Sequence, residues 1–254
     1  MEKLNKGMAL VSFLAILALW QVSSGTLFNP LLVPTPLVVA RTAWEMLKSL
    51  ELLGHIAVSV RRIVIGYAIG CGAGIAIGVL MGRLRAVRDL LDPPLEFIRS
   101  ISPVALVPLA IIWFGIGELS RYFIILYASL IVVILNTAAG VAATPLIRIR
   151  AAQCLGAPPH KIFLRIILPS AWPYILTGLR VALGFSFMGV VAAEMIAADS
   201  GIGFLIMQSR LMIQTERMFV GLVTLGLVGA LTDRAFRVTI NRLMSRYMLY
   251  TTRA

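Results

Sequence analysis

No charged residue lies between Lys6 and Arg41, and residues 8–27 inside that interval are almost wholly apolar. About 20 such residues, rising about 1.5 Å each in a helix, cross a hydrocarbon core of about 30 Å. A backbone at that depth has no water to bond, so it must close its hydrogen bonds within itself. Five further stretches read as spans: 62–83, 101–117, 122–147, 169–198 and 218–232. The last is short and suffices if its flanking Arg217 and Asp233 reach outward to the headgroups. Only 13% of the residues are charged, about half of what a soluble domain needs for its surface. The expected fold is therefore an all-α membrane protein with about six transmembrane helices.

The basic residues orient these spans. With the N-terminus inside, the cytoplasmic segments are the N-terminus, 83–100, 148–165 and 233–254, and they hold fifteen of the 23 Lys and Arg. The outer segments hold seven, and Arg180 lies within the fifth span. That asymmetry predicts both termini in the cytoplasm. The first span resembles a signal peptide, with Lys3 and Lys6 ahead of an apolar run and small residues at Ser23, Ser24 and Gly25. Five spans follow it, so a retained anchor is the expectation.

The net charge of +12 does not indicate nucleic acid, because the basic residues cluster between apolar runs and form no soluble basic face. Cys71 falls within a span and Cys154 in a basic loop, which predicts two free thiols. His55 and His160 are the only histidines, and no Cys/His cluster has metal-ligand spacing. A membrane enzyme acting on lipid phosphate would need paired acids or a nucleophile beside a base, and none is present.

Residues 28–62 form an outer segment. Asn29-Pro30 and Pro34-Thr35-Pro36 are turn or extended signals. Val38, Val39, Ala43, Met46, Leu47, Leu50 and Leu53 then recur at helical spacing between charges. This predicts an amphipathic helix at the outer interface, either packed on the bundle or docking a partner. In the second span Gly66, Gly70, Gly74, Gly78 and Gly82 stand four residues apart. They form one stripe and let another helix backbone approach closely. The core runs from 63 to 232 and a basic tail from 233 to 254.

The loop 148–169 is the most informative segment. Ala151, Ala152 and Leu155 give a first short helix a small apolar face, and Gly156 permits a turn. Pro158 and Pro159 suit the start of a second helix. On that helix Ile162, Phe163, Ile166 and Ile167 share one face, opposite Lys161 and Arg165. A solvated connector has no use for so much apolar surface; a compact knob that plugs into a partner does.

The spacing of Ala151, Ala152, Gly156, Ile166, Leu168 and Pro169 resembles the EAA loop of ABC importer permeases. Arg150 stands where that pattern usually has Glu. Residues 59–67, from Ser59 to Tyr67, are similar to the start of that family's transmembrane core. Residues 103–117, Ala193-Glu194-Met195 and Ser200-Gly201-Ile202-Gly203 look like the branch importing nitrate, taurine, alkanesulfonates and bicarbonate. The resemblance covers about residues 30 to 245.

The resemblance implies the type I ABC importer permease fold in the bacterial inner membrane. Two copies would form a pathway for a small anion, working by alternating access. Two copies of a separate ATPase would hold the ATP and Mg, and a periplasmic binding protein would deliver the solute. This chain lacks the phosphate loop, so it cannot supply the ATPase itself, and the resemblance implies that it is no enzyme and binds no cofactor of its own. Arg150, Ala151, Ala152, Leu155, Gly156, Ala157, Pro158, His160, Leu168 and Pro169 are the residues so expected to couple to the ATPase. A thiamine-precursor or riboflavin-type solute, or a scaffold or sensor role without transport, stays open.

Two charges sit at membrane depth in the fifth span. Arg180 and Glu194 are about 21 Å apart in height on one helix and cannot pair. Arg180 either attracts an anion along the pathway, or snorkels or pairs with a neighbouring helix. Glu194 suits bracing the outer end of the span better than meeting an anion. Trp113 and Phe114 in the third span suit either a gate between two copies or packing. These four residues are the candidates for the pathway or its gate.

Overall fold

The computed structural model describes residues 2–248. Eleven α-helices account for most of them: α1 (Glu2–Thr26), α2 (Pro36–Lys48), α3 (Glu51–Arg83), α4 (Arg85–Arg99), α5 (Val107–Phe114), α6 (Glu118–Ala142), α7 (Leu146–Cys154), α8 (Pro159–Ile162), α9 (Leu168–Ala197), α10 (Ile202–Leu211) and α11 (Thr215–Met248). Residues 249–254 of the expected basic tail, Arg253 among them, lie outside the described residues.

Among the described residues, four helices are long and apolar enough to cross a bilayer: Glu51–Arg83, Glu118–Ala142, Pro159–Ala197 and Thr215–Ile240. A fifth span results if α4 and Pro103–Phe114, which meet at a bend of 88°, count as one. The third expected span, 101–117, is therefore not a single helix. Pro103 opens a 3-10 turn and Pro108 stands at the second position of α5. Neither ring has an N–H to continue a preceding helix, so the chain restarts at each. Two other boundaries also move. The helix expected from about residue 62 begins at Glu51, after Leu50 breaks the path with φ +62, so Leu53 belongs to α3 and not to the amphipathic helix. The sixth helix runs far beyond 232, and its flanking charges find partners within the chain. Arg217 pairs with Glu51, and Asp233 with Arg180 and Arg237.

The chain divides into two compact units, one of Met1–Val58 with Asp199–Val228, the other of Ser59–Ala198 with Gly229–Ala254. In the first, Val39, Met46, Leu52, Leu205 and Val220 form the core, and Trp20 lies 5.7 Å from Phe219. Thr35 caps α2 by accepting from Val38 N. The buried side of α2 carries Val39 and Met46, and its open side carries Leu37, Val38 and Trp44. The Lys48 ammonium stands 5.5 Å from the Trp44 ring centre.

In the second unit α6 is the central helix. The five glycines of α3 meet it in register. A Cβ at Gly66 would lie 2.7 Å from Ile125 Cβ, at Gly70 2.1 Å from Ser129 Oγ, and at Gly74 2.9 Å from Val133 Cβ. At Gly78 it would lie 2.6 Å from Thr137 Cβ, and at Gly82 2.4 Å from Val141 Cβ. Both series advance by four, so the two helices run parallel with their backbones in close approach. On another side of α6, Gly140 meets Tyr174 and Gly178 meets Asn136. These numbers run in opposite senses, so α9 is antiparallel to α6. Tyr127 of α6 places its hydroxyl 2.7 Å from Ile98 O and 3.0 Å from Ile101 O, which holds the corner after α4.

Candidate functional site

The turn between α7 and α8 is built by a helix stop and a restart. Gly156 takes φ +71. Its N–H donates to Gln153 O at 2.9 Å, and that of Ala157 donates to Ala152 O at 3.0 Å. This pair of bonds satisfies the last carbonyls of α7 and needs a left-handed residue at position 156. Pro158 and Pro159 then occupy the N-cap and first helical positions of α8, where no donor is missed. Ala152 and Ile162 are buried, while Phe163, Ile166 and Ile167 are half-buried beneath the turn. The Arg83 guanidinium covers the Phe163 ring at 5.3 Å. Residues 163–167 widen into a π-turn, with Leu168 N donating to Phe163 O. Pro169 follows, and its missing N–H is a local cause of that irregularity.

The outward side of this turn exposes Arg150, Ala151, Cys154, Leu155, Gly156, His160 and Pro169, with Ala157, Pro158 and Leu168 half-exposed. Leu155 stands 87% exposed at the tip. The arrangement is a capped, internally packed knob with an apolar point. From its second arm the helical path continues through α9, so Pro159–Ala197 is one long helix.

The other end of α9 enters a buried polar knot. Glu194, 1% exposed, accepts from Ser59 Oγ at 2.8 Å through both carboxylate oxygens and from Arg62 Nη1 at 2.9 Å. Arg62, also 1% exposed, turns the rest of its guanidinium to Glu118, with Nε 3.0 Å from Oε2 and Nη2 2.6 Å from Oε1. Arg121 donates to Glu118 Oε1 at 2.6 Å and, at 2.5 Å, to the Ala197 carbonyl that ends α9. Arg61 reaches Glu118 at 3.5 Å from the open side. One guanidinium fork thus joins two carboxylates from two helices, a geometry that a point-charge ammonium does not reproduce.

Residues 74–245 match the family described as binding-protein-dependent transport system inner membrane component. The chain belongs to that family. It is the permease subunit of an ATP-driven importer. The permease is 35% identical over 230 residues to a putative aliphatic sulfonates transport permease protein of Bacillus subtilis (strain 168), over 90% of this chain and 83% of the relative. It is 36% identical over 229 residues to the taurine transport system permease protein of Escherichia coli (strain K12), over 88% and 83% respectively. The bicarbonate transport system permease protein of Synechococcus elongatus is 31% identical over 235 residues, covering 89% of this chain and 84% of its own. Among solved structures, an inward-facing methionine ABC transporter superposes with a TM-score of 0.63 at 19% identity, over 75% of this chain and 95% of that chain. That likeness is one of fold.

The four candidate pathway residues of the permease do not form one site. Arg180 pairs with Asp233 of α11, with Nε 2.8 Å from Oδ1 and Nη2 3.2 Å from Oδ2, and its side chain is half-exposed. Glu194 lies in the knot. Trp113 and Phe114, both exposed, flank Phe123 with ring centres 5.9 and 5.1 Å away. Sequence reasoning gave no site role to Ser59, Arg62, Glu118 and Arg121: Arg62 and Arg121 were counted with the outer segments, and residues 59–67 entered only as a family resemblance. A signal was available: one helical step back from Gly66 is Arg62, and one step back from its partner Ile125 is Arg121. Extending the glycine register by a single turn sets these arginines on the facing sides of α3 and α6, with Glu118 three residues before Arg121.

Proposed function

We propose that the permease carries a small oxyanion of the sulfonate, taurine or bicarbonate class. The observation behind this reading is that relatives named for those solutes match it over about nine-tenths of its length. In this reading it crosses the bacterial inner membrane six times with both termini inside. A second copy completes the pathway, two ATPase subunits hold ATP and Mg, and a periplasmic binding protein supplies the solute.

The knob at Gly156 is the ATPase contact. Its packed interior makes it rigid, and its apolar tip at Leu155 fits a cleft better than it fits water. The test is copurification of the tagged permease with the ATPase encoded beside it. Gly156→Asp sets a carboxylate on the apolar outward side of the knob, at a position with φ +71, and is expected to cost roughly a tenfold loss of complex. A stable wild-type complex, depleted in the variant, is the expected result. Equal recovery of ATPase with both proteins would dismiss this contact.

Arg180 borders the pathway in this reading, with Asp233 as its counter-charge until an anion arrives. Arg180→Ala is expected to lower uptake several-fold with ATPase recovery unchanged, since neither Arg180 nor its partner Asp233 is part of the Gly156 knob. Full uptake by a well-expressed variant would remove Arg180 from the pathway.

A further inference from the structure

We infer that Glu194, Arg62 and Ser59 are positioning residues for transport, anchoring the far end of the lever that the ATPase moves. The inference rests on the coupling role proposed for the Gly156 knob. It comes from one juxtaposition inside the second unit. The knob opens the helical path Pro159–Ala197, and Glu194 closes it. From Pro159 to Glu194 the path rises about 50 Å.

A lever transmits movement only if its far end is held. Close packing sets the spacing of two helices in lipid, and buried charge-assisted hydrogen bonds add fixed donor–acceptor directions to it. The knot supplies direction. Glu194 is tied to α3 through Ser59 and Arg62, Arg62 is tied to the start of α6 through Glu118, and Arg121 of α6 holds the last carbonyl of α9. The stretch of α3 at residues 59–62, the start of α6 and the end of α9 are thereby fixed to one another. The glycine register of α3 against α6 extends that fixation along both helices. Displacement delivered at the knob then moves the three helices as one body and is not lost in bending or sliding of α9 alone.

The measurement is the number of ATP molecules hydrolysed per solute imported, with taurine as the probe. It uses the complete complex of permease, ATPase and binding protein in liposomes. Glu194→Gln keeps the shape of the side chain and weakens its hold on the guanidinium. The expected result is a ratio about tenfold above wild type in the complexes that assemble, together with a lower melting temperature, since the buried guanidinium loses one of its two carboxylates. Glu194→Asp, which keeps the charge, is expected to recover part of the coupling. A knot that serves stability alone would lower yield and melting temperature and leave the ratio of the assembled complexes unchanged, which would overturn the inference. If Glu194→Gln does not assemble, Ser59→Ala decides in the same way, because it removes one hydroxyl and leaves the ion pairs in place. A wild-type permease that retains no ATPase would overturn the coupling role and the lever together; an unchanged ratio in assembled complex overturns the lever alone.

Discussion

Gly70→Leu is expected to abolish accumulation of the folded permease, while Gly72→Ala, two residues along the same helix, leaves it intact. The Cβ added at position 70 would stand 2.1 Å from Ser129 Oγ and 2.8 Å from the Leu126 carbonyl oxygen. The serine cannot turn aside freely, since its hydroxyl lies 3.0 Å from both the Ile125 and Leu126 carbonyls. The carbonyl belongs to the α6 backbone and yields only if the helix moves. Overpacking a close contact costs about 1–3 kcal/mol, and leucine at this position adds three more carbons to the same gap. Separating α3 from α6 would also open the four neighbouring glycine contacts. That loss is comparable with a total stability of about 5–15 kcal/mol. At position 72 nothing lies within 4 Å of the added Cβ, and alanine raises helix propensity by about 1 kcal/mol. Monodispersity in mild detergent and the melting temperature of each variant check both halves of the prediction.

The second large effect is expected at Arg62. Arg62→Ala strips the guanidinium from Glu194 and from Glu118 together. Breaking a buried ion pair by removing one partner costs about 3–5 kcal/mol, because the remaining charge stays desolvated. Arg62→Lys should recover little of this, since one ammonium does not span two carboxylates as the fork does. A fall in melting temperature of both variants, with alanine lower, is the expected outcome. A lysine variant as stable as wild type would show that charge alone suffices at this position.

The parts of the fold that were legible in the sequence are those where one residue type repeats at a fixed interval. The apolar runs mark the long helices, and the four-residue glycine spacing marks the face of α3 that meets α6. The knob was legible because Gly156 and the two following prolines have backbone requirements that few structures satisfy. Where a tertiary contact overrides local pattern, the sequence misleads. The run 101–117 is apolar enough for a span, yet Pro103 and Pro108 break it, and the Tyr127 hydroxyl holds the resulting corner. Asp233 looked like a headgroup-facing flank because its partner Arg180 is 53 residues away on another helix. The knot was hidden for the same reason: Arg62 and Glu194 are separated by 132 residues, and charge counting placed Arg62 in an outer loop.

The most direct test of the account is ATP-dependent accumulation of labelled taurine in liposomes holding the permease, its ATPase and its binding protein. The solute screen then extends to aliphatic sulfonates and bicarbonate. The account predicts uptake that requires ATP and binding protein together, favours one member of this oxyanion class, and falls in Gly156→Asp along with ATPase recovery. Uptake independent of ATP, or the absence of uptake for every member of the class in a complex that hydrolyses ATP, would contradict it.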